Sequence, residues 1–364
     1  MRVQTGFGIL GPILFSVVLL CLGLTFSPIT VAQAKPMDVS VSGYFNTALM
    51  TQNFDAYPET PALTLEQDGE IHFKGGRRLD NGIRLGVRVQ LEADQNIDQI
   101  DEHYVFVQGG FGRFIFGAEN SAADLLLQGG NQYLGYRQTR DEFLVNLNTT
   151  GYQKTDHSFI TGDAPKITYL SPRIAGLRIG LSLTPSTQSI TGSRFGIEQS
   201  GDGIGDHASS FGLNYKGNYA GLDYALSLGG EYAEEGGEAA DGDGTFKDWS
   251  MAANAKGKTI GFSFTALTRK ASQWGTRVNE EKRFTNLALS YRLGEKTIFG
   301  IERQDDEVIS GATLGSAYQH VRFGGQVTLA DSLKLTFSVL DGSQSQAGQN
   351  FDVQIGAVGL LIRF

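Results

Sequence analysis

The segment "GIRLGVRVQLE", residues 82–92, shows the clearest pattern in the chain. The odd positions are all apolar, namely Ile83, Leu85, Val87, Val89 and Leu91. The even positions are charged, polar or glycine, namely Arg84, Gly86, Arg88, Gln90 and Glu92. Because successive side chains of a β-strand point to opposite faces, a period of two predicts a strand with one apolar and one charged face.

The same alternation recurs along the chain, in "GLRIGLSLT" (176–184), "GLDYALSLG" (221–229), "IGFSFTALT" (260–268), "LKLTFSVL" (333–340) and the final "GAVGLLIRF" (356–364). Amphipathic helices of comparable quality are not found. The final segment places Val358, Leu360, Ile362 and Phe364 on one face. We therefore predict an all-β protein whose last strand pairs with a first strand near Val39 to Leu49, so that no edge is left open.

The links between these strands alternate in length. Short turns are predicted at 80–82, 109–112, 173–176, 216–219, 257–259, 293–295 and 330–332. Longer polar links are predicted at 51–68, 93–100, 118–163, 185–206, 233–245, 271–280, 305–311 and 341–350. This pattern gives about sixteen antiparallel strands with short turns on one side, which is typical of a transmembrane barrel of the outer membrane. A large soluble β-sandwich is the alternative, but its domains of around 100 residues would leave a composition break that the chain lacks.

The N-terminal residues have the pattern of a secretory signal peptide. Arg2 is followed by an apolar run from Ile9 to Phe26 and then by "AQA" at residues 32–34. We expect residues 1–34 to be cleaved and residues 35–364 to form one barrel domain. A membrane anchor and a lipoprotein signal are the alternatives, and Leu20 beside Cys21, the only cysteine, argues against lipidation.

Composition excludes several classes of protein. The chain of 364 residues carries 39 acidic and 30 basic side chains, and its formal net charge of −9 argues against nucleic-acid binding. After the signal, no stretch of 18 apolar residues predicts a transmembrane helix. Glycine is abundant, at 48 residues, which suits many tight hairpins.

The chain resembles the general diffusion porins of Gram-negative outer membranes. The residues that carry the resemblance are "GEIHFKGGRRLDNGIRLGVRVQLE" (69–92), "HYVFVQGGFGRFIFGAEN" (103–120), "PKITYLSPRIAGLRIGLSL" (165–183) and the final strand. The resemblance implies a homotrimer of sixteen-stranded barrels in the outer membrane, in contact with lipid and lipopolysaccharide.

In such porins the third external loop folds into the lumen and narrows the pore. Here the third long link, residues 118–163, is the longest, and its expected constriction carboxylates are Glu119, Asp124, Asp141 and Glu142. Residues Leu125 to Leu127 could pack the loop against the wall. A loop lying over the mouth is the alternative.

The resemblance also implies a basic wall opposite the loop. By strand parity, Lys74, Arg84, Arg88 and Arg113 face the lumen. Acidic loop and basic wall together would make a transverse field that favours small polar solutes. Alternatively, the arginines only balance charge in the lumen, and a β-bulge would reverse the parity of any one of them.

These features predict a water-filled channel for passive diffusion of small hydrophilic solutes and ions. The alternatives are a channel selective for sugars or organic acids, and a closed structural barrel. We expect no catalysis, because the five histidines, among them His72 and His320 on the lumen parity, do not adjoin a serine on a lipid-facing surface. Net charge and acidic loops favour cations, whereas the basic wall opposes this at the neck; we expect the first to prevail.

We expect no cofactor and no dedicated metal site. "GDGIGD" (201–206) and "DGDG" (241–244) resemble calcium loops but lack the distal Glu that completes the ligand set. The acidic external loops, which we take to include Glu231 and Glu234, could still bind divalent cations such as calcium together with lipopolysaccharide phosphates. The resemblance further implies that the final Phe364 is the signal recognised by the outer-membrane assembly machinery.

Overall fold

The computed structural model of the chain is a closed β-barrel. It describes residues 36–54, 63–93, 100–129, 161–186, 204–236, 244–272, 279–311, 315–346 and 348–364. The chain divides into two compact units, Met1–Asp38 and Val39–Phe364, and the barrel lies in the second. The predicted signal peptide, residues 1–34, lies outside the described residues.

Sixteen strands and one short helix make up the described structure. The strands are β1 (Asp38–Phe54), β2 (Leu63–Arg78), β3 (Arg84–Glu92), β4 (Ile100–Gly109), β5 (Gly112–Ala118), β6 (Pro165–Leu170), β7 (Leu177–Ser186), β8 (Ile204–Tyr219), β9 (Leu222–Gly236), β10 (Thr245–Lys256), β11 (Ile260–Ser272), β12 (Glu280–Leu293), β13 (Thr297–Ser310), β14 (Ala317–Ala330), β15 (Leu333–Gln346) and β16 (Gln349–Arg363). Helix α1 (Ala122–Leu126) follows β5. No helix in the described ranges is long and apolar enough to cross a bilayer.

The barrel is closed by the pairing of its first and last strands. Each strand is hydrogen-bonded to its neighbours in sequence, and β1 pairs with β16 in antiparallel register, with Phe45 opposite Ile362 and Leu49 opposite Val358. The backbone of Phe364 continues the seam, since Gly43 N donates to Phe364 O at 2.9 Å and Phe364 N donates to Gly43 O at 3.1 Å. The predicted sixteen-stranded antiparallel barrel is confirmed.

The two faces of the wall differ as the alternation requires. On β16, Val358, Leu360 and Ile362 are 55%, 40% and 47% exposed, while the intervening Leu361 is 1% exposed. The exposed apolar side chains cover the outside of the barrel, where only hydrocarbon leaves them without a hydration penalty. The other face of each strand is the lumen face, and short polar residues such as Ser263, Thr336 and Asn214 occupy it.

Two predicted long links are wrong. Strand β13 continues to Ser310, so nearly all of the predicted link 305–311 is strand. Strands β15 and β16 leave only residues 347–348 between them, where a link was predicted at 341–350. The cause is that polar side chains replace apolar ones on the outer face while the backbone ladder continues. Arg303 donates to both oxygens of Asp305 at 2.8 and 2.7 Å, and Asp305 lies opposite Gln319. This polar band marks the edge of the apolar belt.

A charge in the middle of the apolar belt should destabilise the barrel. Leu289 is 46% exposed and lies opposite Phe262 and Ile301 on the outer face. We expect Leu289→Arg to lower the free energy of unfolding in lipid vesicles by about 2–4 kcal/mol, measured by urea titration. Leu289→Gln, which removes the same apolar group without adding charge, is the control and should cost less. Equal losses in the two variants would show that this position does not face hydrocarbon.

Candidate functional site: the lumen wall and the inward segment

Strand register brings the four residues of the predicted basic wall to one face. Lys74 lies opposite Arg88, and Arg88 lies opposite Tyr104. Arg84 lies opposite Gln108, which lies opposite Arg113. The alternate positions of these strands carry the exposed Phe73, Val105 and Phe116, which are 41%, 51% and 41% exposed and belong to the outer face. Lys74, Arg84, Arg88 and Arg113 therefore share the lumen face, and their role in a constriction stays a prediction.

The basic residues lie at two levels. Arg84 and Arg113 are close to the short turns, and their guanidinium carbons lie 5.8 and 4.2 Å from the ring centre of Phe106, within cation–π range. Lys74 and Arg88 lie further up the wall, where Lys74 Nζ donates to Ser42 Oγ at 3.1 Å. The aromatic ring thus holds the lower pair in place, and the upper pair faces a polar recess.

The polar recess lies next to Arg88. It has a volume of about 650 Å³, and its lining includes Tyr44, Glu70, His72, Gln90 and Glu102. Tyr44 OH donates to Glu70 Oε1 at 2.8 Å, and His72 Nε2 lies 2.6 Å from Glu70 Oε2. The recess therefore has a wall of fixed polar groups of both signs.

A β-bulge brings two further carboxylates to the recess. The register between β3 and β4 shifts between the pairs Val89–His103 and Leu91–Ile100. Two residues, Asp101 and Glu102, consequently lie opposite the single Gln90, and both line the recess. Neither residue was predicted, because a bulge interrupts the alternation on which the parity argument depends.

A chain of hydrogen bonds links the basic wall to the start of the long connection. Arg88 Nη2 donates to Gln90 Oε1, Gln90 Nε2 donates to Glu102 Oε2, and Asn120 Nδ2 donates to Glu102 Oε1 at 3.1 Å. The adjacent Glu119 is only 5% exposed, and its Oε1 accepts from Asn120 N at 3.0 Å. The structure thus brings Glu119, of the predicted acidic set, next to the basic wall.

The first residues of the long connection lie inside the barrel. Helix α1 begins after Ser121, whose Oγ accepts from Asp124 N at 3.5 Å, and the helix packs on β7, β8 and β9. Ala122 N donates to Ser182 Oγ at 2.8 Å, and Gln128 N donates to Ser227 Oγ at 3.1 Å. Both serines are on the lumen face, so this inward segment, residues 119–129, runs along the inner wall.

Glycine makes this close approach possible. A Cβ at Gly180 would meet Leu126 Cδ1 at 2.9 Å and Ala122 Cβ at 3.0 Å, so a larger residue there would displace the helix. Leu126 completes an apolar cluster with Tyr104, Ile115 and Leu170. Two of the predicted leucines therefore attach the segment to the wall, because Leu125 also packs against this cluster. Asp124 lies in the first turn of α1, while Asp141 and Glu142 lie outside the described residues.

The two ends of the long connection are held together by Lys166. Its Nζ donates to Glu119 O and, at 2.6 Å, to Gly162 O, and the side chain is buried. Thr161 is attached separately, because its N and Oγ1 donate to the two oxygens of Glu231 at 3.1 and 2.7 Å. The assignment of Glu231 to an acidic external loop is thus wrong: Glu231 is 4% exposed on the lumen face of β9 and anchors the connection.

One group of carboxylates has the spacing of a cation site. Oxygens of Glu70, Glu92 and Asp101 all lie within 4.8 Å of one another, at the recess and directly above it. Glu70 already accepts from Tyr44, and acidic groups at an aqueous surface are often close without a metal. The two calcium-like stretches fall in large part on residues 201–203 and 241–243, outside the described residues.

The comparisons with known proteins agree with this geometry. The sequence matches the Gram-negative porin family over residues 17–311. No curated protein sequence matches the chain significantly.

Among solved structures, the outer-membrane channel DcaP of Acinetobacter baumannii has a TM-score of 0.64 at 11% identity, covering 92% of this chain and 100% of that one. The trimer form of OmpT from Vibrio cholerae has a TM-score of 0.63 at 10% identity, covering 91% of this chain and 100% of that one. The anion-selective porin of Comamonas acidovorans has a TM-score of 0.62 at 14% identity, covering 90% of this chain and 100% of that one. Likeness at these identities concerns the fold, and the sequence match supplies the family: the chain belongs to the Gram-negative porins, β-barrel channels of the outer membrane.

Proposed function

We propose that the protein is a homotrimeric pore for passive diffusion of small hydrophilic solutes and ions. The observation that carries the proposal is the inward segment, which is bonded to lumen serines and lies beside a wall that carries Lys74, Arg88 and Glu102. Such an arrangement narrows a water-filled lumen with fixed charges of both signs, and a neck of this kind selects by size and polarity. The trimeric state is supported by the Vibrio cholerae OmpT, which was solved as a trimer.

Conductance in planar bilayers tests this function directly. In 1 M KCl we expect the purified protein to give large current steps in groups of three, because three pores insert together. Added sugars or dicarboxylates at millimolar concentration should leave the current unchanged. Saturable block by one class of solute would replace the proposal with a substrate-selective channel, and the absence of steps would indicate a closed barrel.

The basic wall should set ion preference at the neck. The double change Lys74→Gln with Arg88→Gln removes two lumen charges, and we expect the cation-to-anion permeability ratio, taken from the reversal potential, to rise roughly twofold. The control is Lys247→Gln with Lys270→Gln, a pair that lies opposite each other on the outer face of β10 and β11. An unchanged reversal potential in the wall variant would show that Lys74 and Arg88 do not line the constriction.

Lys166 should keep the inward segment still. Lys166→Met retains the length of the side chain but leaves Glu119 O and Gly162 O without their donor, at a cost of about 1–3 kcal/mol. We expect higher open-channel current noise and a changed mean conductance, because the base of the segment then moves. Lys247→Met, on the outer face, should record like the wild type, and equal noise in both variants would contradict a holding role for Lys166.

A further inference from the structure

Basic side chains surround the short-turn end of the lumen, beyond the basic wall already described. Each comes from a different strand and lies within four residues of that strand's end at a short turn. These residues, which we name the basic ring, are Arg178, Lys216, Lys256, Arg292 and Lys334.

Register and exposure place the ring residues on the lumen face. Arg178 lies opposite Asn214, and Lys334 lies opposite Leu361; both partners are 1% exposed lumen residues. Arg292 is also on the lumen face, because its sequence neighbours Tyr291 and Leu293 are 50% and 56% exposed on the outer face. The ring thus projects into the water of the pore mouth.

The same argument holds for the remaining ring residues. Lys216 follows Tyr215, which is 38% exposed on the outer face. Arg363 is not counted in the ring, because it lines the polar recess together with Glu70, Asp101 and Glu102. Lys256 lies opposite Asp223, which also accepts from Asn218 Nδ2 at 2.6 Å. Asp223 therefore lowers the net charge of the ring at one point.

The charges of the short turns do not neutralise the positive charge of the basic ring. They carry three acidic residues and three basic ones: Asp80, Glu295, Asp331, Arg173, Lys258 and Lys296. Arg173 even reaches the lumen face, where its Nη2 donates to Asn214 Oδ1 at 2.7 Å. Partial burial lowers the pKa of Arg173 from its ordinary value, and the positive charge of Arg178 lowers it further, so basic groups converge here.

Carboxylates dominate the lumen face towards the loop end. Glu70, Glu92, Asp101 and Glu102 lie at or above the polar recess, close to Arg88. On the far wall two acidic residues are paired with arginines. Arg269 Nη2 lies 3.0 Å from Asp248 Oδ2, and Arg322 bonds to Glu302. The excess of carboxylates in the upper lumen therefore lies on the β2–β4 side, and Glu231 and Asp306 add acidic groups on the far wall.

We propose that the lumen is electrically polarised along its axis, acidic towards the loops and basic at the short-turn mouth, and that ionic current through it rectifies. This inference rests on the proposed function, because it needs an open pore. Short turns face the periplasm in barrels of this kind, so the basic ring is the periplasmic mouth.

The sign of the rectification follows from the order of the charges. Cations concentrate in the acidic upper zone and anions in the basic mouth. When the extracellular side is positive, cations move down from their zone and anions move up from theirs, so both accumulate between the zones. Reversed polarity depletes both kinds of ion there. Current should therefore be larger with the extracellular side positive.

The test is the current–voltage curve of single insertions at two salt concentrations. In 0.1 M KCl we expect a current roughly 1.5- to 2-fold larger at the favoured polarity, falling to equality in 1 M KCl as the Debye length shrinks from about 10 to about 3 Å. Orientation is read from a Gln349→Cys variant, whose thiol lies at the loop end of β16 on the lumen parity of Val353 and Leu361 and reacts with a maleimide polymer added to one side. Only addition from the extracellular side should lower the current.

Matched variants separate the ring from other charges. Lys216→Gln with Lys256→Gln should lower the ratio of currents in 0.1 M KCl, because two of the ring charges are lost, and the Glu versions of both changes should lower it further. The control, Lys247→Gln with Lys270→Gln, removes the same number of charges from the outer face and should rectify like the wild type.

The outcomes distinguish the two proposals. Absence of any conductance in the wild type overturns the proposed function and this inference with it. A conducting wild type with symmetric current in 0.1 M KCl overturns the axial polarisation alone. A ratio of currents that is unchanged in the ring variants, or a wild-type current that is larger with the periplasmic side positive, also overturns it.

Discussion

The constraint on which the whole structure depends is that hydrocarbon offers no hydrogen-bond partner to a peptide group. Every N–H and C=O at membrane depth must therefore be satisfied inside the wall, and a sheet can do this only by closing. The pairing of β1 with β16, continued by the two bonds between Gly43 and Phe364, removes the last open edge. Closure fixes which face meets lipid, and it leaves the other face around a lumen that side chains of the wall alone do not fill.

The inward segment uses that leftover space. Its backbone N–H groups donate to Ser182 and Ser227, and Leu126 packs against the wall. The segment is therefore fixed to the inner surface of the barrel. Small residues on β7 and β8 leave a shallow groove for it, as Gly180 shows. The polar groups around the inward segment consequently come from several strands together with the segment itself.

Much of this could be predicted from alternation alone, because period-two patterns report directly which face meets hydrocarbon. The strands, the closure and the shared face of Lys74 and Arg88 follow from it. The alternation disappears where the outer face of a strand no longer contacts lipid. Beyond the apolar belt, residues such as Asp305 continue the strand without any hydrophobic signal, so 305–311 looked like a link. The β-bulge at Asp101 is missed because the added residue interrupts the alternation on which the parity argument depends. Lys166 and Glu231 bond to groups 47 and 70 residues away in sequence. Contacts at such separations leave no periodic pattern in the sequence, so they could not be predicted.

Lys166 holds the base of the long connection through two backbone carbonyls, those of Glu119 and Gly162. A carbonyl is the same group whichever side chain its residue carries, so this clamp is indifferent to the identity of what lies between. Substitutions, insertions and deletions in the intervening stretch leave the clamp's two acceptors unchanged. The clamp therefore places no constraint on the side chains that lie between its two acceptors.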